Sequence, residues 1–327
     1  MEAIRLHAFG PAANLRPETL PDPVPGPGAA RLAVRAAGLH FIETLFRRGQ
    51  GVGPHPAPTL PAILGGEVAG VVDAVGQGVP AGLVGRRVVT AEVSSGGYAS
   101  LAVAPASSLL TVPDHVDFGT AVAMNTTGAT TFGLLELAPV TSSDVLLATA
   151  AAGGVGTLLL QYARRAGARV IGAAGGPAKV ARVRELGADL AVDYRQPEWA
   201  KLVRDAFGEV TVVFDGVGGQ LGRSAYELLG PDGRHVVFGS ASGEWFFPAK
   251  EEAAARGVTV HDGIGHLLGR GGGMADLRAK ALAAAADGTL TPAVQAFPLR
   301  EAAAAHEALE TRNTMGKVVL VHRHDRG

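Results

Sequence analysis

The 327-residue chain has no cysteine, which removes disulfides, thiolate metal sites and a cysteine nucleophile from consideration. Aromatic residues are scarce, at 5% of the chain. Charge of either sign barely prevails: the formal net charge is −1, so no global field draws the protein to nucleic acid or to an anionic membrane. Basic residues such as Arg164, Arg165, Arg182 and Arg184 alternate with apolar ones, as on solvated helix faces. No apolar run is long enough to span a bilayer; the one from Val145 to Ala152 is short and ends in glycines. The N-terminal Met1-Glu2-Ala3-Ile4-Arg5 does not read as a signal peptide, and the expected location is the cytoplasm.

What the chain does have is aliphatic residues in abundance and a length suited to two domains. From about 145 to 262 the pattern alternates strand with helix. Strands are expected at Val145–Thr149, Arg169–Ala173, Leu190–Val192, Val210–Phe214, Arg234–Phe238 and Val258–His261. Helices are expected at Val155–Ala166, Ala178–Leu186, Glu198–Phe207 and Gln220–Leu229. Such alternation with short loops predicts a doubly wound parallel sheet. The first 119 residues are rich in proline and glycine, with short β-like pieces at Arg31–Ala37, Val68–Val75, Arg86–Thr90 and Ser100–Val103, which suggests an irregular, partly open β-barrel. After the glycine cluster Gly269–Gly273 come an alanine-rich helix, a helix around Ala302–Leu309 and an apolar strand Lys317–Val321. The ending His322–Gly327 reads as a solvated tail.

The central motif is Thr149-Ala150-Ala151-Ala152-Gly153-Gly154-Val155-Gly156, between a buried strand and a helix. Gly153 permits a tight turn and close backbone approach, Gly156 permits close helix–strand packing, and the helix start favours a pyrophosphate. Ala150 stands where the usual dinucleotide fingerprint has its first glycine. At the end of the second strand, where an acidic residue would hold the ribose hydroxyls of NAD, the chain has Ile171-Gly172-Ala173-Ala174-Gly175-Gly176. Small residues there leave room for a 2′-phosphate, with Lys179 near, so NADPH is the expected cofactor. A short-chain dehydrogenase would need Tyr followed four residues later by Lys; Tyr98, Tyr162, Tyr194 and Tyr226 are followed by Ala102, Ala166, Glu198 and Gly230.

In order along the chain stand Gly38-Leu39-His40-Phe41-Ile42-Glu43, Gly65-Gly66-Glu67-Val68-Ala69-Gly70, Gly96-Gly97-Tyr98-Ala99, Thr127-Gly128-Ala129-Thr130, the glycine turn, Leu186-Gly187-Ala188-Asp189, Phe214-Asp215-Gly216-Val217-Gly218-Gly219 and Gly316-Lys317-Val318-Val319-Leu320. The ordered set resembles the zinc-independent quinone oxidoreductases, the zeta-crystallin-like branch of the medium-chain dehydrogenases/reductases. The resemblance implies an α/β fold: a Rossmann doubly wound parallel sheet, residues 120–265, inserted into a GroES-like, partly open β-barrel catalytic domain made of residues 1–119 and 266–327. It implies a cofactor in the cleft between them and a homodimer joined along an edge of the dinucleotide sheet, with Val258–His261 as the edge strand.

Carried over by position, Thr130 would face the nicotinamide, and Ala152, Gly153, Gly154 and Val155, with Gly156, would cradle the pyrophosphate. Gly175, Lys179 and Tyr194 would surround the 2′-phosphate. Val217, Phe238, Gly239 and Ser240 would line the path of the dinucleotide, and Lys317 would reach it from the C-terminal strand. Zinc-dependent relatives carry Cys where this chain has His40 and His where it has Gly66, so no metal is expected; Glu67 is read as a buttress. Without zinc, hydride transfer to an already electrophilic acceptor is favoured, a quinone or an α,β-unsaturated carbonyl. His40 and Thr130 are the catalytic candidates. Relatives often carry Tyr where this chain has Leu45. A non-catalytic NADPH-binding protein and a 2-enoyl-thioester reductase are the alternatives.

Overall fold

A computed structural model describes residues 1–51, 53, 55–271 and 273–322. The tail from 323 onward, and Gly272 of the glycine cluster, lie outside the described residues. Contacts divide the chain into two compact units, Met1–Thr126 with Ala281–Gly327, and Thr127–Lys280.

The first unit begins with β1 (Glu2–Leu6), paired antiparallel with β2 (Leu15–Thr19). Its backbone is β3 (Ala29–Leu39), whose residues alternate buried and half-exposed until Ala36, after which both faces are covered. That burial delivers the next residue, His40, to the start of α1 (Phe41–Arg47). Further along come β4 (Ala62–Ile63), β5 (Val68–Val75), β6 (Arg87–Thr90), β7 (Leu101–Pro105), β8 (Leu110–Thr111) and α2 (Phe118–Ala123). The first half of β3 pairs with β7. Its ladder to β5 slips twice, at Arg31/Leu32 and Val34/Ala36, and such irregularities bend and twist a strand. Leu32, Val34, Val68, Val72 and Val88 pack into one apolar core with Leu299 and Leu320 from much later in the chain.

A π-helical turn, Met124–Gly128, leads into the second unit and α3 (Ala129–Leu137). Then follow β9 (Val145–Ala148), α4 (Gly154–Arg165), β10 (Arg169–Ala174), α5 (Pro177–Glu185), β11 (Leu190–Asp193), α6 (Trp199–Phe207), β12 (Val210–Asp215), α7 (Gly219–Tyr226), β13 (Leu229–Val237), α8 (Lys250–Ala255), β14 (Thr259–Asp262) and α9 (Gly263–Gly269). The six strands form a parallel sheet in the order β11-β10-β9-β12-β13-β14. Strand order reverses between β9 and β12, and ligands of such sheets sit beyond the strand carboxyl ends at that reversal. The doubly wound parallel sheet expected from the alternation is therefore present, with β14 at one edge.

The last expected helix of the alternation, Gln220–Leu229, is a correction. The helix stops at Tyr226, and Leu229 already pairs with Val210. Arg256 holds this break: its guanidinium donates to the carbonyls of Tyr226 (3.2 Å) and Leu229 (2.7 Å) and lies over the Tyr226 ring. The strand expected at Arg234–Phe238 accordingly starts earlier, through the turn at Pro231-Asp232-Gly233.

The chain returns to the first unit through α10 (Ala275–Ala286), then β15 (Val294–Pro298), α11 (Ala302–Glu310) and β16 (Lys317–Val321). β16 adds antiparallel to the second half of β3, Val318 opposite Leu39, giving the sheet order β15-β16-β3-β5-β6-β8. Among the described residues no helix is long and apolar enough to cross a membrane.

Candidate active site

In the second unit the turn after β9 is built on Ala150, a non-glycine residue at φ 49°. An L-residue in this left-handed region costs roughly 1–2 kcal/mol, which is why glycine is usual there. The conformation is held because Ala151 N–H donates to Ala173 O (3.1 Å) and Gly153 N–H to Ala150 O (2.8 Å). Gly153 is the N-cap of α4, so the first N–H groups of the helix, from Gly154, Val155 and Gly156, have no partner of their own within the helix. A Cβ on Gly156 would come within 2.5 Å of Ala150 O and 2.7 Å of Ala151 Cα. Only glycine lets the helix start this close to the turn, and this start, with Ala152, suits an anion such as a pyrophosphate.

The neighbouring loops are knitted by one buried carboxylate. Asp215 Oδ1 accepts from Thr149 Oγ1 (2.6 Å), from Val217 N–H (2.9 Å) and from Gly218 N–H (3.2 Å). Thr149 Oγ1 in turn accepts from Gly216 N–H (2.9 Å). The loop after β13 joins on, with Phe238 N–H donating to Asp215 O (2.8 Å) and Ser242 N–H to Val217 O (2.8 Å). Val217, Phe238, Gly239 and Ser240 are thus brought onto adjoining loops, the last three half-exposed. Gly175 and Tyr194 meet at the ends of β10 and β11, where a Cβ on Gly175 would lie 3.0 Å from the phenol oxygen. Lys179 is on the first turn of α5, and Thr130 is half-exposed on α3.

The first unit holds a different cluster. His40 Nε2 lies 2.9 Å from Glu67 Oε2, and the Lys317 ammonium lies 3.2 Å from the same oxygen and 2.8 Å from His40 Nε2. The other oxygen, Glu67 Oε1, accepts from Asn125 Nδ2 (3.1 Å) and Thr126 N–H (2.8 Å), both on the π-helical turn. A Cβ on Gly38 would collide with Glu67 Oε2. Burial alone would raise the Glu67 pKa, but Lys317, His40 and the Thr126 N–H outweigh it and hold the carboxyl well below its usual range. Glu67 and Lys317 are buried, whereas the His40 side chain keeps 26% of its surface.

Behind this cluster, Glu43 Oε2 accepts from His40 N–H (2.7 Å) and from Tyr98 OH (2.9 Å), and Glu43 Oε1 accepts from Gly66 N–H (3.3 Å). Burial first, and the Glu43 charge second, push the Tyr98 phenol well above its usual range. His306 Nε2 stands 3.2 Å from Tyr98 OH. Arg47, buried, binds Gly10 O and Glu310, and Arg48 pairs with Glu310 at 2.7 Å.

Of the residues singled out from sequence, the glycine turn, Val217, Phe238, Gly239, Ser240, Gly175, Lys179, Tyr194 and Thr130 fall in the second unit. His40, Glu67 and Lys317 come together in the first. Asn125, Thr126, Glu43, Tyr98, His306 and Asp215 were missed as site residues. Glu43, Tyr98 and Asp215 stood inside recognised motifs; Thr126 immediately precedes one, with Asn125 one position further back, and nothing local marks His306. Zinc does not fit this cluster. The Lys317 ammonium already occupies the side on which His40 and Glu67 would face a cation, and among the described residues no group of three His, Asp or Glu could hold a metal.

Two family models match the chain, the alcohol dehydrogenase GroES-like domain over residues 26–114 and the zinc-binding dehydrogenase domain over 154–284. Among curated proteins, a quinone oxidoreductase of Pseudomonas aeruginosa is 34% identical, covering 97% of this chain and 98% of its own. A 2-haloacrylate reductase of a Burkholderia species is 33% identical, with 97% of each chain covered. Among solved structures, an Escherichia coli quinone oxidoreductase complexed with NADPH superposes with a TM-score of 0.85 at 28% identity, covering 98% of this chain and 100% of that one.

Proposed function

The chain belongs to the quinone oxidoreductase family of the medium-chain dehydrogenases/reductases and is an oxidoreductase with a nicotinamide cofactor; from that premise we propose that it uses NADPH to reduce quinones or α,β-unsaturated carbonyls. When bound, NADPH supplies the hydride. The reading rests on the Glu67-anchored donor pair. Hydride addition to a conjugated carbonyl leaves negative charge on its oxygen, and Lys317 and His40 are two donors that a buried carboxylate holds in place. His40 gives the proton, and its exposed edge lets solvent restore it. The glycine turn from Ala152 to Gly156 holds the pyrophosphate, with Val217, Phe238, Gly239, Ser240 and Thr130 along the rest of the dinucleotide. Its 2′-phosphate lies against Gly175, Lys179 and Tyr194.

The test is NADPH oxidation at 340 nm with a panel of quinones, enones and haloacrylates. Turnover with at least one class supports the reading, and rates no higher than buffer with all of them overturn it. Lys179→Ala should raise the KM for NADPH and leave that for NADH nearly unchanged; equal effects on both would remove Lys179 from the phosphate site. Copies of the chain are proposed to pair along the edge strand β14, an arrangement that protects an otherwise open edge and that light scattering reads as a dimer mass.

A further inference from the structure

We propose that Arg195 reads the 2′-phosphate and sets the preference for NADPH over NADH. This rests on the reading that the cofactor is NADPH, and it adds a residue that the sequence comparison did not single out. β10 and β11 run parallel and end side by side, so that Tyr194 N–H donates to Ala174 O (3.1 Å). Asp193 Oδ1 then accepts from both Gly176 N–H (2.9 Å) and Arg195 N–H (3.0 Å). One carboxylate oxygen therefore fixes the turn after β10 and the backbone of Arg195 together.

The two side chains that follow close over the glycine pair. A Cβ on Gly175 would lie 2.9 Å from Tyr194 Cε2 and 3.1 Å from Arg195 Nε. A Cβ on Gly176 would lie 2.9 Å from Arg195 Nη1. Any residue larger than glycine at either position would displace the guanidinium. Gly175 follows directly on β10, where a nicotinamide dinucleotide presents its adenosine ribose in folds of this kind.

Arg195 has no other occupation. Its side chain is exposed, and its guanidinium makes no hydrogen bond or ion pair among the described residues. The Gly176 amide, which could have faced an anion, is engaged by Asp193. Recognition of a 2′-phosphate at this point therefore falls to side chains, and the Asp193 carboxylate beside it makes a countercharge necessary. A guanidinium offers a planar fork of donors that matches phosphate oxygens, which a lysine ammonium does not. A 2′-hydroxyl, being neutral, gains little from it.

The experiment is isothermal titration with adenosine 2′,5′-bisphosphate and with adenosine 5′-monophosphate, which differ only in the 2′-phosphate. The wild-type protein should bind the bisphosphate at least tenfold more tightly. Arg195→Ala should lose about tenfold for the bisphosphate, the loss of one or two charge-assisted hydrogen bonds, and stay within about twofold for the monophosphate. Arg195→Lys should recover part of the loss. Because the side chain is exposed, the melting temperature should not move. If Arg195→Ala keeps the wild-type affinity for the bisphosphate, Arg195 is not the reader. If the wild-type protein binds both probes equally, the NADPH reading itself fails.

Discussion

Glu67 and Asp215 are buried carboxylates, one in each unit, and they are satisfied in different ways. Asp215 meets only neutral donors at hydrogen-bond distance, the Thr149 hydroxyl and the amides of Val217 and Gly218. It stitches loops together. Glu67 meets two amide donors on one oxygen and two basic side chains on the other. The first arrangement fixes a backbone. The second gathers two basic side chains at one carboxylate, one of them a half-exposed imidazole. A buried acid thus anchors backbone or basic side chains according to its partners, not its depth.

The largest test of that contrast is a pair of isosteric neutralisations. Glu67→Gln leaves the buried Lys317 ammonium without its counter-ion and should cost about 3–5 kcal/mol. Asp215→Asn can keep its carbonyl oxygen toward Thr149 and Val217, and should cost only about 1 kcal/mol. Urea unfolding of the two variants measures both, and equal losses would erase the distinction.

Acid reaches the two units through two buried histidines, His235 and His306. Burial lowers the His235 pKa to about 4, although Asp215 pulls it the other way; burial and then Arg47 lower that of His306 to about 3. The unfolded chain protonates both near pH 6.5. Between that value and the folded ones the unfolded state binds more protons, so stability falls as pH drops, by about 1.4 kcal/mol per pH unit for each histidine. Neither His235 ring nitrogen has a hydrogen-bond partner among the described residues. His235→Leu should therefore flatten the slope between pH 6 and 4.5 by one proton in chemical unfolding. An unchanged slope would show that His235 is not buried as a neutral ring.

The smallest effect concerns Ala150. Ala150→Gly removes the left-handed strain of roughly 1–2 kcal/mol and adds about 0.5–1 kcal/mol of chain entropy, leaving a net gain of about 0.5 kcal/mol. A melting temperature that falls instead would mean that the Ala150 methyl contributes packing at the turn.

The second unit could be read in sequence almost element by element, because strands buried on both faces and helices with one apolar face leave strong periodic signals. The reading failed where a tertiary contact overrides the pattern, as at Tyr226, where Arg256 reaches back across the chain to end a helix. The short helices α8 and α9 also carry too few turns to show a period. The first unit was harder. Its β3 changes partner halfway along, and β1, β2 and α1 are too short or too irregular to stand out. In the site, the motifs marked His40, Glu67 and Lys317 separately. Their meeting at one carboxylate depends on β16 lying against β3, a pairing that no local pattern encodes. Asn125 and His306 were invisible for the same reason: their partners are far away in the chain.

That strand pairing also has a consequence in time. The second unit is one uninterrupted stretch and can complete its sheet as soon as it leaves the ribosome. The first unit cannot, because β16 is translated only after the whole of the second unit. Until then β3 has half an open edge, and the Glu67 carboxylate lacks the ammonium that compensates it. The nascent chain therefore carries a finished nucleotide-binding fold beside an unfinished barrel, and Lys317 arrives on the strand that closes it.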